Sequence, residues 1–452
     1  MRPAIDPPPP AADITFPWDD ADAPDPVEAL AAARRALGDT FVVDSGDDRY
    51  LFVFSAVALT GFYAIAERVA SKGLADYRML LQKLPDELFL GRRTYAHDLF
   101  GAQEVEGYLD RLDVAIQRQL DELGDEGTFD AFAFARRLGH RLAIGCWMGD
   151  AAGAPPQLDS LIADLELLDG AEAFVHPERM AGADNAKTVE RDALARIERV
   201  VAARLSAGEP GRDATAGFLG EIARRWDDVE EEARVRGVAG DVVLLHIATM
   251  TNLFAALGWT LCLVLLDREV CERVEAGADG SVDRGFLDRC ALEAVRIGQR
   301  SIMLRSVLKP CELDDGVATY RVEPGVLLAT MLPLTNTTAL SSLAGFDPER
   351  WFGRRLRDDD ALEAKEVVTT FGHGSHRCPA QRFSLSAIGR AVERLFATFD
   401  LQPGFDAVRA VPSQIGGVAR SADPCPVAYV RRPAITLRPG QEDDRDAGGS
   451  DG

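Results

Sequence analysis

The stretch FGHGSHRC, residues 371–378, places three residues that can bind a metal within six positions, namely His373, His376 and Cys378. A structural zinc site normally needs four ligands, often from two spaced pairs, and no second pair lies nearby in the sequence. A nucleophilic cysteine needs a positioned base, but His376 stands only two residues before Cys378 in a glycine-rich loop. The pattern therefore favours a third interpretation, in which the cysteine binds something larger than a single metal ion.

The composition of the chain argues against some classes of protein. Its 452 residues are 47% hydrophobic, which is enough to bury a large core. The net charge of −23 argues against a nucleic-acid partner, because binding phosphates requires clustered lysine and arginine. Seven scattered cysteines without a CxxC pair are typical of a reducing compartment, so we expect a cytoplasmic protein.

Both ends of the chain differ from the segment between them. Residues 1–27 contain eight prolines and several acids but no apolar signal segment, which predicts an extended arm with no stable membrane anchor. Residues 438–452 are acidic and rich in glycine, which predicts a disordered tail. We therefore expect one domain over residues 28–437.

The pattern of apolar residues predicts a mainly α protein with a minor β portion. Residues 40–54, TFVVDSGDDRYLFVF, form two strand-like runs around an Asp/Gly turn and predict a hairpin. From about residue 55 to 310 the spacing is mostly helical. Strand signals return in residues 318–332, ATYRVEPGVLLATML, where Pro324 and Gly325 mark a turn between two runs.

The longest apolar segment, residues 242–266, holds 25 residues without a formal charge. This length would suffice to span a bilayer, but acidic residues flank the segment and polar ones interrupt its middle. We therefore predict a helix buried inside a large domain. Polar residues in the middle of such a helix tend to mark function; they include Thr249, Thr251 and Asn252.

Four residues of the opening stretch reproduce the pattern F-x-x-G-x-H-x-C, which resembles the haem-binding loop of the cytochrome P450 family: Phe371, Gly374, His376 and Cys378. The resemblance implies a P450-like fold with haem b between the long central helix and this loop. It implies that Cys378 is the axial iron ligand, that Phe371 shields its sulfur, and that His376 contacts a haem propionate. The alanine at position 380 departs from the family, which usually has glycine there.

Further stretches resemble other parts of the same family. Glu293 and Arg296 match its E-x-x-R motif, and FDPERW at 346–351 resembles the segment whose arginine, here Arg350, completes a structural Glu–Arg–Arg cluster. By the same resemblance Arg305 contacts a haem propionate, with an exposed side chain as the alternative. In GRRTYAH, residues 91–97, Arg93 and His97 are candidates for a further propionate contact, with a surface role as the alternative.

In most family members the central helix carries an acid followed by a threonine, which together deliver protons to dioxygen. The matching pair here is Thr251-Asn252, so the acid is missing. Asn252, Ala256 and Trp259 lie on one stripe of the helix. This stretch resembles the branch that contains sterol and bile-acid hydroxylases and prostacyclin synthase, and it implies that Asn252 and Thr251 manage protons beside the haem, with Ala256 against the cofactor.

The resemblance implies a monooxygenase that hydroxylates a lipophilic molecule, steroid-like or fatty, with dioxygen and electrons from a ferredoxin and its reductase. The missing acid leaves open a peroxide-using isomerase, dehydratase or peroxygenase. A non-catalytic haem sensor or scaffold is the third alternative. RWFGRRLR at 350–357 concentrates four arginines, which favours either a docking surface for an acidic ferredoxin or a solvated loop.

Overall fold

Helices make up just over half of the residues that the structure describes. The computed structural model describes residues 2–20, 22–149, 156–177, 186–206, 216–277, 283–353 and 359–433. Its helices are α1 Pro26–Leu37, α2 Ala56–Ala64, α3 Lys72–Leu80, α4 Ala102–Leu123, α5 Ala131–Met148, α6 Gln157–Leu167, α7 Glu172–Val175, α8 Thr188–Ser206, α9 Ala216–Arg224, α10 Glu231–Leu266, α11 Arg268–Ala276, α12 Arg284–Gly298, α13 Pro333–Asn336 and α14 Gln381–Thr398.

The strands of the described residues form three sheets, ordered β2-β3-β4-β10-β7-β5, β1-β9-β8 and β11-β12-β6. The strands are β1 Ile5–Asp6, β2 Ala11–Ala12, β3 Thr40–Ser45, β4 Asp48–Val53, β5 Ala70–Ser71, β6 Glu126–Asp130, β7 Ile302–Val307, β8 Cys311–Asp314, β9 Thr319–Val322, β10 Val326–Met331, β11 Phe399–Pro403 and β12 Pro426–Arg431. The predicted fold class, mainly α with a minor β portion, is confirmed.

The strands that the sequence predicts are present, although their partners differ from the simplest expectation. β3 and β4 form the predicted hairpin, with Ser45 opposite Asp48 and Gly46 turning the chain at a φ of +53°. β9 and β10 flank the turn at Gly325 but do not pair with each other. β9 pairs with β8 and β1, whereas β10 pairs with β4 and β7.

The described part of the N-terminal arm packs onto the sheets. β1 pairs with β9, with Ile5 opposite Val322, and β2 lies parallel to β3. Phe16 is fully buried and stacks against Trp18. The arm therefore contributes strands to two sheets before α1 begins.

Helix α10 is the central helix that the apolar segment predicts, and its burial is confirmed. By length and composition it could cross a membrane, but 72% of its most apolar window is buried inside the protein. Most of the positions from 238 to 265 are buried. Ala248 and Asn252 are exposed in the middle of this buried helix, which indicates that one side of α10 faces a cavity.

The polar stripe of α10 faces the segment 416–420. The Oδ1 of Asn252 accepts a hydrogen bond from the Val418 N–H at 2.9 Å. Two turns further along, the indole N–H of Trp259 donates to the Ala419 carbonyl at 2.7 Å. Helix α10 therefore holds this segment at two points with side-chain hydrogen bonds, as well as by packing.

We expect Trp259→Phe to lower the free energy of unfolding by about 1–3 kcal/mol beyond the loss of packing, because the buried Ala419 carbonyl loses its donor. Trp147→Phe is the matched control, since Trp147 is equally buried but its indole N–H has no acceptor within the described residues. Denaturant unfolding of both variants measures the difference. Equal losses would show that the Trp259 hydrogen bond contributes nothing.

Candidate functional site

The loop of residues 371–378 closes on itself through backbone hydrogen bonds. The Cys378 N–H donates to the Phe371 carbonyl at 2.7 Å, and the His376 N–H donates to the His373 carbonyl at 3.1 Å. Gly372 has a φ of +80° and Gly374 a φ of +57°, a region that favours glycine. A Cβ at Gly372 would also collide with the carbonyl oxygen of His376. The glycines are therefore required by the turn that presents Cys378.

A single-ion zinc site at this loop is inconsistent with the side chains around it. The Nε2 of His373 lies 3.2 Å from the Val368 carbonyl, and its ring packs edge-on against Tyr63 at 5.1 Å. Among the residues that the structure describes, no group of three or more His, Cys, Asp or Glu side chains could hold a metal ion. The interpretation that Cys378 binds a larger group remains.

Cys378 lines a cavity between the loop and helix α10. The cavity encloses about 1030 Å³ of space not filled by protein atoms. Cys378 and Phe371 lie on one wall with His376, while Ala248, Asn252 and Ala256 come from α10. The exposed positions of α10 therefore belong to the same cavity as the cysteine.

The chemistry of the residues that line this cavity fits a haem, and the cavity is called the haem cavity below. Burial raises the pKa of the Cys378 thiol, while the Ala380 N–H and the charge of Arg377 lower it to a smaller extent. A thiolate here therefore needs a cation beside it, such as a ligated iron, in addition to the nearby helix N-terminus. The Nε2 of His376 is buried and forms no hydrogen bond with the described residues, although it lies 3.3 Å from the Glu67 carboxylate. It is placed to donate to a carboxylate on the bound group.

Helix α14 begins at Gln381, three residues after Cys378, with Ala380 as its N-cap residue. Ala380, the departure from the family pattern, is buried and lines the cavity. Its methyl group is accommodated at the wall without a strained backbone, since its φ is −85°.

Comparisons with known proteins agree with this geometry. No family model matches the chain. The human 24-hydroxycholesterol 7-alpha-hydroxylase is 20% identical over 437 residues, which is 90% of each protein. The cytochrome P450 CYP99A1 of Sorghum bicolor is 26% identical over 212 residues, 41% of this chain and 40% of that protein. The solved structure of retinoic-acid-bound cyanobacterial CYP120A1 superposes with a TM-score of 0.70 at 17% identity, over 94% of this chain and 99% of that one.

The chain is similar to cytochromes P450 in sequence and shares their fold: the curated relatives that it matches are cytochromes P450, and so is the solved structure that it superposes on. This similarity agrees with an oxidoreductase of the P450 type, and it implies a haem cofactor, a lipophilic substrate and a redox partner. The fold agrees with the expectation that the haem lies between the long central helix and the cysteine loop. The roles of individual residues stay predictions, and their positions are described next.

Arg305 lies close to His376 but does not line the cavity that contains Cys378. Its guanidinium is 1% exposed and donates to the carbonyls of Phe62, Ile65 and Ala70. Both Arg305 and His376 approach the carboxylate of Glu67, at 3.6 and 3.3 Å. The exposed alternative for Arg305 is wrong, because three backbone carbonyls hold it in the interior.

The structure places Arg93 and His97 away from the cavity. Arg93 pairs with Asp228, donates to the Arg225 carbonyl at 2.7 Å and covers the Trp226 ring at 4.5 Å. The side chain of His97 is 71% exposed. These positions favour the surface role that the sequence left open for both residues.

Lys72 is a cavity residue that the sequence did not indicate. It lines the haem cavity together with Cys378 and His376, and it forms an ion pair with Asp76 one turn along α3. Among the described lining residues, Lys72 and His376 are the two side chains that can carry a positive charge. A haem has two anionic propionates, so both side chains suit that edge of the cofactor. Lys72 reaches the site through the pairing of β5 with β7, which no local motif reveals.

A second cavity adjoins the first on the far side of Asn252. It encloses about 1120 Å³ and shares lining residues with the haem cavity, among them Ala248, Asn252 and Val418. Most of its other lining residues are apolar: Leu80, Leu84, Phe89, Phe174, Val175, Leu244 and Ile247. Thr251 and Arg420 also line it. The two cavities together suit a cofactor with an apolar molecule beside it.

The predicted cluster of Glu293, Arg296 and Arg350 is assembled in the interior. Both oxygens of Glu293 accept from Arg296, at 2.6 and 2.9 Å, and Oε1 also accepts from Arg350 at 3.0 Å. The indole N–H of Trp351 is a further donor to Glu293, at 2.9 Å, which the motif alone did not indicate. Arg296 also donates to three backbone carbonyls, those of Asn336, Leu343 and Gly345.

We expect Glu293→Gln to lower the free energy of unfolding by about 3–5 kcal/mol, because it leaves two buried arginines without their shared carboxylate. Glu272→Gln is the control, since the Glu272–Arg268 ion pair is exposed and its loss should leave stability almost unchanged. Denaturant unfolding measures both variants. A stability of Glu293→Gln equal to that of the control would contradict the role of the cluster.

Proposed function

We propose that this P450 is a monooxygenase that hydroxylates a lipophilic, steroid-like or fatty small molecule, using dioxygen, haem b and electrons from a ferredoxin and its reductase. One observation carries the proposal: the sulfur-bearing loop and the exposed side of α10 line one cavity, which shares lining residues with a second, largely apolar cavity. When bound, a thiolate-ligated haem supplies the chemistry of dioxygen activation and O–O cleavage.

The chain's own residues take separate parts in this reaction. Cys378 holds the cofactor from one side, and His376 and Lys72 bind its propionates. Asn252 faces the cavity from α10 with its amide oxygen held by the Val418 N–H. Its amide nitrogen, which has no acceptor among the described residues, donates into the cavity and orients a water or the substrate. Ala256 leaves room for the cofactor against the helix.

The apolar side chains around the second cavity bind the substrate by excluding water from it. The name of the human relative concerns a hydroxylated cholesterol, which supports a sterol-sized lipophilic substrate for this chain. The arginine-rich segment is proposed to dock the ferredoxin. Arg354, Arg355 and Arg357 lie outside the described residues, whereas Arg350 belongs to the buried cluster and does not contribute to such a surface. We propose a cytoplasmic location from the cysteine usage.

The second candidate is a peroxide-using isomerase, dehydratase or peroxygenase. It is favoured by the pair Thr251-Asn252, because α10 presents no carboxylate to the cavity among the lining residues. Product formed from a lipid hydroperoxide without any reductant would support this candidate. Oxygen consumption that depends on the ferredoxin system and yields hydroxylated product would support the monooxygenase.

Cys378→Ser is expected to abolish the spectral signature of a thiolate-ligated haem in the reduced, carbon-monoxide-bound protein, while the chain stays folded. The matched control is Cys271→Ser, which changes a cysteine of similar exposure on the outside of α11 and should keep the signature. Circular dichroism reports the fold of each variant. A thiolate signature retained in Cys378→Ser would refute the assignment of this ligand.

A further inference from the structure

A carboxylate from another part of the fold contacts the position where α10 lacks its acid. Thr251 occupies that position, and its hydroxyl donates to Oδ1 of Asp169 at 3.2 Å. Asp169 follows the end of α6 and is 4% exposed. The Thr251 side chain lines the second cavity, so the hydroxyl lies between the carboxylate and the space beside Asn252.

Several groups hold the Asp169 side chain in place. Its Oδ2 accepts from Arg420 at 2.5 Å, and its Oδ1 accepts from the Ala171 N–H at 2.9 Å. Arg136 on α5 lies 3.9 Å away and also pairs with Glu166 at 2.7 Å. The side chain of Glu166 is 39% exposed, so this network reaches solvent at one end and the cavity at the other.

The histidines near this network are neutral under ordinary conditions. Burial lowers the pKa of His246 to about 4, with the charge of Asp169 opposing the shift. Burial and the neighbouring His246 also lower the pKa of His140, which lies 2.9 Å from it. The charged groups that face Asp169 are therefore the arginines of α5 and of the segment around Arg420.

We infer that Asp169, which lies outside α10, provides the carboxylate that α10 lacks. Asp169 positions the Thr251 hydroxyl and exchanges protons with it, so that protons enter the haem cavity through Thr251. The inference rests on the proposed monooxygenase function. It explains how an asparagine at position 252 is compatible with a reaction that consumes protons, because a buried acid still contacts a hydroxyl that lines the second cavity.

The proton balance of this step is simple. Hydroxylation consumes one dioxygen, two electrons from the external donor and two protons, and it releases one water. At rest Asp169 is a carboxylate that accepts the Thr251 hydroxyl hydrogen. Once solvent has delivered a proton to this carboxylate, the Thr251 oxygen takes that proton as its own proton leaves toward the cavity. The carboxylate that forms is held by Arg420 until solvent protonates it again, and no electron moves through these residues.

The experiment compares haem-loaded wild type with Asp169→Asn, using a lipophilic substrate identified from its spin-state shift. We expect dioxygen-driven product formation in Asp169→Asn to fall by roughly 100-fold, the scale of a lost acid–base group. Turnover driven by hydrogen peroxide, which brings its own protons and electrons, should stay within about twofold of wild type. Asp169→Glu should restore part of the dioxygen-driven rate.

Asp164→Asn is the matched control. Asp164 lies on α6 near Asp169 and also pairs with an arginine, Arg196 at 2.6 Å, but the Thr251 hydroxyl donates to Asp169 and not to Asp164. It should leave both reactions unchanged. Dioxygen-driven turnover of Asp169→Asn within about twofold of wild type would overturn the inference. An equal loss of the dioxygen-driven and peroxide-driven reactions would also overturn it, because it would mean that Asp169 only maintains the cavity.

Thermal unfolding of the haem-loaded protein tests the contact without any turnover. If Asp169 and Thr251 interact, the melting temperature lost in the double variant Asp169→Asn/Thr251→Val is smaller than the sum of the two single losses. Additive losses would overturn the contact. Failure of the proposed function is recognised separately, because wild type would then show no reductant-dependent product before any variant is compared.

Discussion

The structure depends on a buried carboxylate that has no access to water. Glu293 is fully buried on α12 and receives four side-chain hydrogen bonds, from two arginines and one tryptophan. Arg296 continues the network to the backbone between residues 336 and 345. A charge buried this deeply must be paired. The segments that carry the partners of Glu293 therefore have one favourable position relative to α12. The chain that leads into the cysteine loop follows directly from these segments, so its start is fixed as well.

The same constraint positions the two walls of the cavity. Helix α12 packs against α10 and α14, the helix that follows Cys378. The loop then closes through the Cys378–Phe371 hydrogen bond, with glycines where side chains would collide. On the opposite wall, Asn252 and Trp259 hold the segment 416–420 against α10. Cofactor and substrate therefore meet between elements that are each tied to the core, which limits how far the reacting groups can drift.

How much of the structure the sequence predicts depends on how far apart in the chain the residues of each feature lie. The cysteine loop and the E-x-x-R pair are local, so their residue types and spacing carry the chemistry, and the apolar run predicts α10 as a buried helix. Lys72 and Asp169 were missed, because their positions depend on pairings across the chain. Arg93 and His97 satisfy the helical spacing of a cofactor-binding pair, yet the structure places no helix there. Residues 96–98 form one short 3-10 turn, and the Arg93 side chain contacts the segment between α9 and α10.

The N-terminal arm has a consequence for how the protein is made. Strand β1 covers the edge of β9, with Ile5 beside Val322, so the residues of β1 leave the ribosome long before the partners with which they pair. Until β9 emerges, the edge of β1 is open to pairing with another chain. The prolines at positions 7–10 restrict the waiting segment to extended conformations and remove backbone donors from it. The arm thus completes the edge of a sheet late in synthesis while offering little that a neighbouring nascent chain could pair with.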